Sequence, residues 1–136
     1  MKIFVNGSFD VLHRGHLGLL KYAKALGTYL YVAIDSDDRI RKMKGEDRPF
    51  NNQSTRFELM QCLKPVNEVA VFNSDCELVD LIKNYQPDIM VVGSDWKNKK
   101  VIGSEHSKSV IFYERFCDDS TTKTIESYID RRSLRR

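Results

Sequence analysis

The stretch Asn6 to His16, NGSFDVLHRGH, follows a short apolar segment at Lys2 to Val5 and precedes residues with helical spacing. Its glycine, serine and aspartate residues interrupt the apolar run, so the stretch predicts a turn between a strand and a helix. A helix N-terminus presents unpaired backbone N–H groups and about half a positive charge, which stabilise a bound anion. His13 and His16 lie three residues apart on one helical face, so both imidazoles can donate to one phosphate group. The stretch predicts a phosphate site, with purely structural hydrogen bonds by the two histidines as the alternative.

Short apolar runs alternate with helical patterns along the rest of the chain. The strand predictions are Lys2–Val5, Tyr29–Ile34, Val66–Phe72, Asp88–Val92 and Ser109–Tyr113, and the helix predictions are Gly15–Leu26, Gln53–Leu63, Asp75–Tyr85 and Thr121–Arg131. Several strand runs are continuously apolar, which is typical of parallel strands covered on both faces. The order predicts an α/β domain of Rossmann-like, doubly wound topology, with a parallel five-stranded sheet and a ligand crevice at the carboxyl ends of the strands.

A long polar segment, Asp37 to Asn52, separates the second strand from the next helix. It carries five basic residues and few apolar ones, and we interpret it as a loop. Loops of this length inside a compact domain are often functional. We therefore expect a mobile lid over bound phosphates, with Lys44 as its contact to them.

Length and composition fit a single domain spanning residues 1–136. Hydrophobic residues make up 41% of the chain and charged residues 30%, which excludes disordered and fibrous classes. The longest apolar run, Tyr29–Ile34, is far shorter than the ~20 residues that span a bilayer, and the N-terminus lacks the pattern of a secretion signal. We expect a cytoplasmic protein with no membrane partner.

Cysteine and arginine usage exclude further classes of function. The three cysteines show no Cys-x-x-Cys spacing, which argues against a zinc site and a disulfide framework. The net charge of +3 is smaller than the charge of the four arginines in the basic tail 131–136, so the body of the chain is not basic. We interpret the tail as a solvated helix end rather than a nucleic-acid or membrane contact, and we expect no nucleic-acid partner.

The stretch GSFDVLHRGH resembles the signature of the cytidylyltransferase-like nucleotidyltransferases, which join a nucleoside triphosphate to a phosphorylated acceptor and release pyrophosphate. Further segments match that family in order and approximate spacing: Lys42-Met43-Lys44-Gly45 with Arg48-Pro49, Arg56, Gly93-Ser94-Asp95-Trp96, and Ser120-Thr121-Thr122. The resemblance therefore covers nearly the whole chain, and five matches in sequence make a chance similarity improbable.

The resemblance implies a role for each matching position. His13, His16 and Lys44 would be catalytic, because they would hold the phosphates in line while charge grows on the leaving pyrophosphate. The implied nucleotide-binding residues are Gly7, Ser8, Phe9, Asp10, Gly15, Gly93, Asp95, Arg115, Ser120, Thr121 and Thr122. The implied acceptor-binding residues are Asp37, Arg56 and Trp96.

Cofactor and partners follow from the same resemblance. Mg²⁺ is expected with the triphosphate, since this ion keeps several waters and is held largely by phosphate oxygens. Asp10 would orient one imidazole, bind the ion through water, or cap the turn, and these roles stay open. The implied partners are a nucleoside triphosphate, a phosphorylated sugar or polyol, and a second copy of the chain in a homodimer.

Four alternatives remain for the function. Lys44-Gly45 with Arg48-Pro49, and Ile102-Gly103-Ser104-Glu105, resemble the bacterial heptose 1-phosphate adenylyltransferases, which use ATP. Gly93-Ser94-Asp95-Trp96 and Arg115 resemble the glycerol-3-phosphate cytidylyltransferases, which use CTP. The other two are adenylyl transfer to a flavin phosphate and a catalytically inactive nucleotide-binding module. The longer matching segment favours ATP and heptose 1-phosphate.

Overall fold

Strands and helices alternate along residues 1–114, which are the residues described by this computed structural model. The strands are β1 (Lys2–Gly7), β2 (Tyr29–Asp35), β3 (Glu68–Phe72), β4 (Ile89–Gly93) and β5 (Ser109–Tyr113). The α-helices are α1 (Arg14–Ala25), α2 (Asp37–Lys44), α3 (Gln53–Cys62) and α4 (Asp75–Tyr85), with short 3₁₀ helices at Ser94–Trp96 and Ser104–His106. The predicted helix Thr121–Arg131 and the basic tail 131–136 lie outside the described residues.

The five strands form one sheet in the order β3-β2-β1-β4-β5, and every neighbouring pair is parallel. The chain builds outward from β1 to β3 on one side, then returns to place β4 against β1 on the other. The predicted Rossmann-like α/β fold with a parallel five-stranded sheet is therefore confirmed. The reversal of strand order between β1 and β4 is the topological switch point, where such sheets bind their ligands.

Both faces of the sheet are covered, as continuously apolar strands require. Successive residues of β1 point to opposite faces, so Ile3 packs with Leu20 of α1 and Met60 of α3. Phe4 packs on the other face with Leu78 of α4. All of these side chains are at most 1% exposed, and burying each one stabilises the fold by about 1.5–3 kcal/mol.

The carboxyl ends of β1 and β4 separate. The pairing of β1 with β2 continues as far as Gly7 and Ile34, but the pairing of β1 with β4 ends at Phe4 and Met90. Each strand runs on for three residues beyond that last pair. A crevice therefore opens between the two strands at the switch point.

The segment from Asp37 to Asn52 is not one continuous loop, and this corrects the prediction. Its first half is α2, which begins after Ser36, whose hydroxyl accepts a hydrogen bond from the backbone N–H of Arg39. Acidic residues in the first turn and basic residues in the last complement the helix dipole. Among these eight residues only Ile40 is buried, so the apolar periodicity that identifies a helix is nearly absent.

Candidate functional site

The crevice at the switch point has a volume of about 350 Å³. It lies between the turn after β1, the N-terminus of α1, the helix α2 and the segment that follows β4. Site residues that the sequence predicted and that line it are Gly7, Ser8, Phe9, His13, Gly15, His16, Lys44, Gly93, Asp95 and Trp96. Topology thus brings together residues that are up to 89 positions apart in the sequence.

The two histidines form a reciprocal capping box at the start of α1. Nδ1 of His13, the N-cap, accepts a hydrogen bond from the backbone N–H of Gly15 at 3.0 Å. Nδ1 of His16 accepts one from the backbone N–H of His13 at 3.2 Å. Serine or threonine with glutamate or glutamine are the usual residues at these two positions. The rings stack with their centroids 3.9 Å apart.

These hydrogen bonds fix the tautomers of both rings. A backbone N–H group only donates, so both Nδ1 atoms are acceptors and the proton of each neutral imidazole resides on Nε2. The Nε2–H group is the form that donates to a phosphate oxygen. The hydrogen bonds that cap α1 therefore also determine which ring nitrogen of each histidine can donate to a ligand.

The turn between β1 and α1 is strained and tightly packed. Phe9 and Val11 both have a left-handed backbone with φ 49°, which is costly for residues other than glycine and rare for a β-branched one. The buried ring of Phe9 packs against His16, with centroids 5.4 Å apart, and against Gly7. A Cβ atom at Gly7 would lie 3.1 Å from that ring, so glycine leaves room for the packing. Burial of the Phe9 side chain offsets the energetic cost of this backbone conformation.

Asp10 is fully buried behind this turn and does not line the crevice. Its two carboxylate oxygens accept hydrogen bonds from the backbone N–H groups of Phe50 at 2.7 Å and Asn51 at 2.8 Å. The carboxylate therefore ties the histidine turn to the segment after α2, which agrees with the expected turn-stabilising role. The water-mediated magnesium contact of Asp10 stays a prediction.

Arg56 is also fully buried and does not line the crevice, and its contact with the acceptor phosphate stays a prediction. Its guanidinium donates to the carbonyl oxygens of Ser8 at 3.0 Å, Asp35 at 2.7 Å and Asn51 at 2.9 Å. It also donates to the carboxylate of Asp37 at 2.9 Å. Asp37, a second predicted acceptor contact, is thus held by Arg56 and does not line the crevice. Arg56 joins the three loops behind the site.

Residues of β2 and α2 form one wall of the crevice, namely Asp35, Arg39, Met43 and Lys44. Burial raises the pKa of Asp35 above its usual value, although the hydrogen bond and charge of Arg39 oppose the shift. Partial desolvation lowers the pKa of Lys44, and the nearby positive charge of Arg48 adds to this. Lys44 therefore lines the crevice and loses its proton at a lower pH than an ordinary lysine.

The opposite wall follows β4. Gly93 ends that strand, and Asp95 and Trp96 lie in the 3₁₀ helix after it. Trp96 is 46% exposed, and Nζ of Lys99 lies 5.3 Å from the centroid of its ring. The assignment of Trp96 to the acceptor stays a prediction. So do the roles of Arg115, Ser120, Thr121 and Thr122, which lie outside the described residues.

Several lining residues have no site role among the sequence-based predictions. They are Asn6, Leu19, Asp35, Arg39, Met43, Leu78, Val91, Val92, Val101, Ile102 and Tyr113. Asn6 and Asp35 carry a usable signal, because polar residues at the carboxyl end of a parallel strand face the ligand edge of the sheet. Arg39 follows Asp35 by four residues, a spacing that brings side chains together in a helix. Because a loop is predicted at α2, that spacing did not predict a contact between them.

A parallel sheet whose switch point carries two histidines at a helix N-terminus defines this protein as an α/β protein of Rossmann-like fold. The chain belongs to the cytidylyltransferase-like family, whose family model matches residues 4–128. Within residues 1–114, no helix combines the length and apolar character that a membrane span requires.

Curated relatives are similar over most of the chain. The bifunctional protein HldE of Nitratiruptor sp. is 42% identical over 124 residues, and that of Helicobacter pylori (strain ATCC 700392 / 26695) is 44% identical over 124 residues. Each match covers 91% of this chain and 27% of the relative. The chain therefore spans about a quarter of the length of these relatives.

Solved structures share the fold. A lipopolysaccharide core biosynthesis protein from Thermoplasma volcanium superposes with a TM-score of 0.68 at 24% identity, covering 88% of this chain and 98% of that one. A protein of unknown function from Archaeoglobus fulgidus superposes with a TM-score of 0.66 at 16% identity, covering 88% and 94%. At these identities the likeness concerns the fold alone.

Proposed function

We propose that this chain transfers the adenylyl group of ATP to heptose 1-phosphate, forming ADP-heptose and releasing pyrophosphate. The observation that carries the transfer chemistry is the capping box of His13 and His16. It presents two Nε2–H donors beside a helix N-terminus at the crevice. A catalytically inactive binding module would be expected to lose such donors.

The reaction requires positioning more than a base. A phosphate oxygen of the acceptor attacks the α-phosphorus, and a new P–O bond forms as the bond to pyrophosphate breaks. Because the nucleophile is already an anion, the protein contributes in-line alignment and neutralisation of charge on the leaving group. His13 and His16 would donate to phosphate oxygens, supported by the dipole of α1, and Lys44 would bring a positive charge from the α2 wall.

The choice of heptose 1-phosphate rests on two similarities. The segments that resemble heptose 1-phosphate adenylyltransferases contribute Lys44 and Ile102 to the lining of the crevice. The curated relatives at 41–44% identity all carry the name HldE. Transfer of the cytidylyl group of CTP to glycerol 3-phosphate, with release of pyrophosphate, is the second candidate. Gly93, Asp95 and Trp96, which lie in the segment that resembles that subfamily, also line the crevice.

Magnesium is proposed as the companion of the triphosphate. Residues 1–114 contain no group of three or more histidine, cysteine, aspartate or glutamate side chains arranged to hold a metal ion. The described residues thus do not offer a protein cage for the ion. Phosphate oxygens and water are the ligands that remain for it.

The test measures pyrophosphate release for each of the four combinations of ATP or CTP with heptose 1-phosphate or glycerol 3-phosphate. We expect turnover with ATP and heptose 1-phosphate. Turnover with CTP and glycerol 3-phosphate alone would support the second candidate. Calorimetric nucleotide binding without release in any pairing would instead support a binding module.

A further inference from the structure

The α2 wall of the crevice contains a partly buried ion pair that the proposed transfer chemistry does not use. Asp35 ends β2 and is only 7% exposed, yet it lines the crevice. Its Oδ1 accepts a hydrogen bond from Nε of Arg39 at 2.8 Å. No group in the part of the chain that the structure describes donates to Oδ2. Asp35 therefore offers the crevice a carboxylate oxygen whose position is already fixed.

Arg39 holds this carboxylate from a second element. Its Nη2 atom lies 2.8 Å from Oδ1 of Asp75, the first residue of α4. The guanidinium also lies over the ring of Phe72, 5.1 Å from its centroid. Asp35 is thus braced by α2, α4 and the end of β3. A hydrogen-bond acceptor held in this way loses little freedom when a ligand binds.

The position of Asp35 indicates which part of a ligand it meets. The histidines and the N-terminus of α1 lie between the β4 wall, with Gly93 and Asp95, and the β2 wall, with Asp35. A nucleotide whose base side lies at the β4 wall, and whose phosphates lie at the histidines, leaves the β2 wall to the acceptor. A carboxylate repels a phosphate and only accepts hydrogen bonds, so it favours the hydroxyl groups of that acceptor.

We propose that Asp35, positioned by Arg39, binds hydroxyl groups of the phosphorylated sugar or polyol and thereby determines which acceptor is used. This inference rests on the proposed function. It assigns the sugar side of the acceptor to Asp35 and the phosphate side to Lys44 and the histidines. The sequence-based predictions give neither Asp35, which directly follows the second predicted strand, nor Arg39 a role at the acceptor.

The test compares Asp35→Asn and Asp35→Ala in the full chain. The asparagine variant keeps an oxygen for Arg39, whereas the alanine variant removes both. The matched controls are Asp38→Asn and Asp38→Ala. Asp38 also pairs with an arginine of α2, Arg41, but its side chain is 68% exposed and does not line the crevice. Thermal unfolding of each variant verifies that it is folded.

Two readouts separate this proposal from the proposed function. The first is calorimetric binding of heptose 1-phosphate and of glycerol 3-phosphate without nucleotide, and the second is the KM for acceptor and for ATP. We expect Asp35→Asn to weaken acceptor binding about tenfold, because a hydrogen bond to a charged group is lost, and to change the KM for ATP less than about threefold. The Asp38 variants should match the wild type.

Failure of the proposed function and failure of the Asp35 inference give different results. Wild-type protein that binds an acceptor but releases no pyrophosphate contradicts the proposed function and leaves the Asp35 comparison intact. Folded Asp35 variants that bind acceptor like the wild type overturn the inference, as does a change in the KM for ATP equal to the change for acceptor. Absence of acceptor binding by the wild type overturns it as well.

Discussion

At the scale of single residues, His13 and His16 serve the fold and the chemistry through different ring atoms. Nδ1 of each ring accepts a backbone hydrogen bond at the start of α1, and the proton is left on Nε2. The two roles considered from the sequence, structural hydrogen bonds and phosphate donation, are therefore compatible. Substitutions that retain only one of these functions can separate them.

His16→Asn and His16→Ala should lose activity alike but differ in stability. Asparagine can place an acceptor oxygen near the position of Nδ1, whereas alanine removes the reciprocal half of the capping box and leaves the N–H of His13 without its acceptor, at a cost of about 1 kcal/mol. Both lose the Nε2–H donor, and removing one transition-state donor costs on the order of a hundredfold in rate. Urea unfolding and kcat/KM provide the two measurements. A variant within threefold of the wild-type rate would exclude His16 from the chemistry.

Lys44 should set an alkaline limit on activity. Its pKa is lowered by partial desolvation and by Arg48, so its positive charge is lost at a lower pH than that of an ordinary lysine. Because the charged form binds phosphate, kcat/KM should fall as pH rises through that pKa. Lys44→Arg should move the fall to higher pH, since guanidinium stays protonated. Lys42→Arg, exposed and outside the crevice lining, is the control and should leave the profile unchanged.

At the scale of elements, the loops behind the site are held by two buried charged groups. Asp10 binds the segment after α2, and Arg56 of α3 binds three loop carbonyls and Asp37. This arrangement anchors the end of the segment that the sequence analysis interpreted as a mobile lid. The positions of the histidine turn and of α2 relative to each other depend on these contacts.

Arg56→Met should destabilise the fold by about 3 kcal/mol or more. The substitution leaves buried carbonyl oxygens and the Asp37 carboxylate without their donor, and such groups are costly. Arg41→Met, which breaks an exposed pair with Asp38, should cost less than about 1 kcal/mol. Chemical denaturation measures both. If Arg56→Met kept its stability and only raised the KM for acceptor, the predicted role of Arg56 in phosphate binding would be supported.

The elements differ in how far the sequence predicts them. Apolar runs located all five strands, and α4 begins and ends at the predicted residues, Asp75 and Tyr85, because its apolar face is regular. The helix α2 escaped prediction because only Ile40 of it is buried. The burial of Arg56 escaped it too, since its partners lie up to 48 residues away and follow from how the loops pack.

At the scale of the whole molecule, strand order creates the site. The alternation of strands and helices predicts a doubly wound parallel sheet and places the motifs at one edge, but it does not predict where β1 and β4 stop pairing. The reversal of strand order, with the separation of the two strands beyond Phe4 and Met90, produces the crevice. Asp35 reaches the crevice for the same reason. The predicted homodimer stays a prediction, and sedimentation equilibrium measures it.

Removal of magnesium should stop turnover while leaving the fold intact. The described residues contain no metal cage, so chelation with EDTA should leave the unfolding temperature within about 2 °C of its value with Mg²⁺. Pyrophosphate release should fall to background and recover when Mg²⁺ is restored. A large loss of unfolding temperature on chelation would indicate a structural metal site instead.

The most direct test of nucleotidyl transfer at this crevice is phosphorus NMR of the protein with Mg²⁺, ATP and heptose 1-phosphate, alongside His16→Asn. We expect one pyrophosphate for each ADP-heptose formed by the wild type, and on the order of a hundredfold less of both with the variant. Release of inorganic phosphate without a sugar nucleotide, or equal product formation by the folded variant, would exclude nucleotidyl transfer at this crevice.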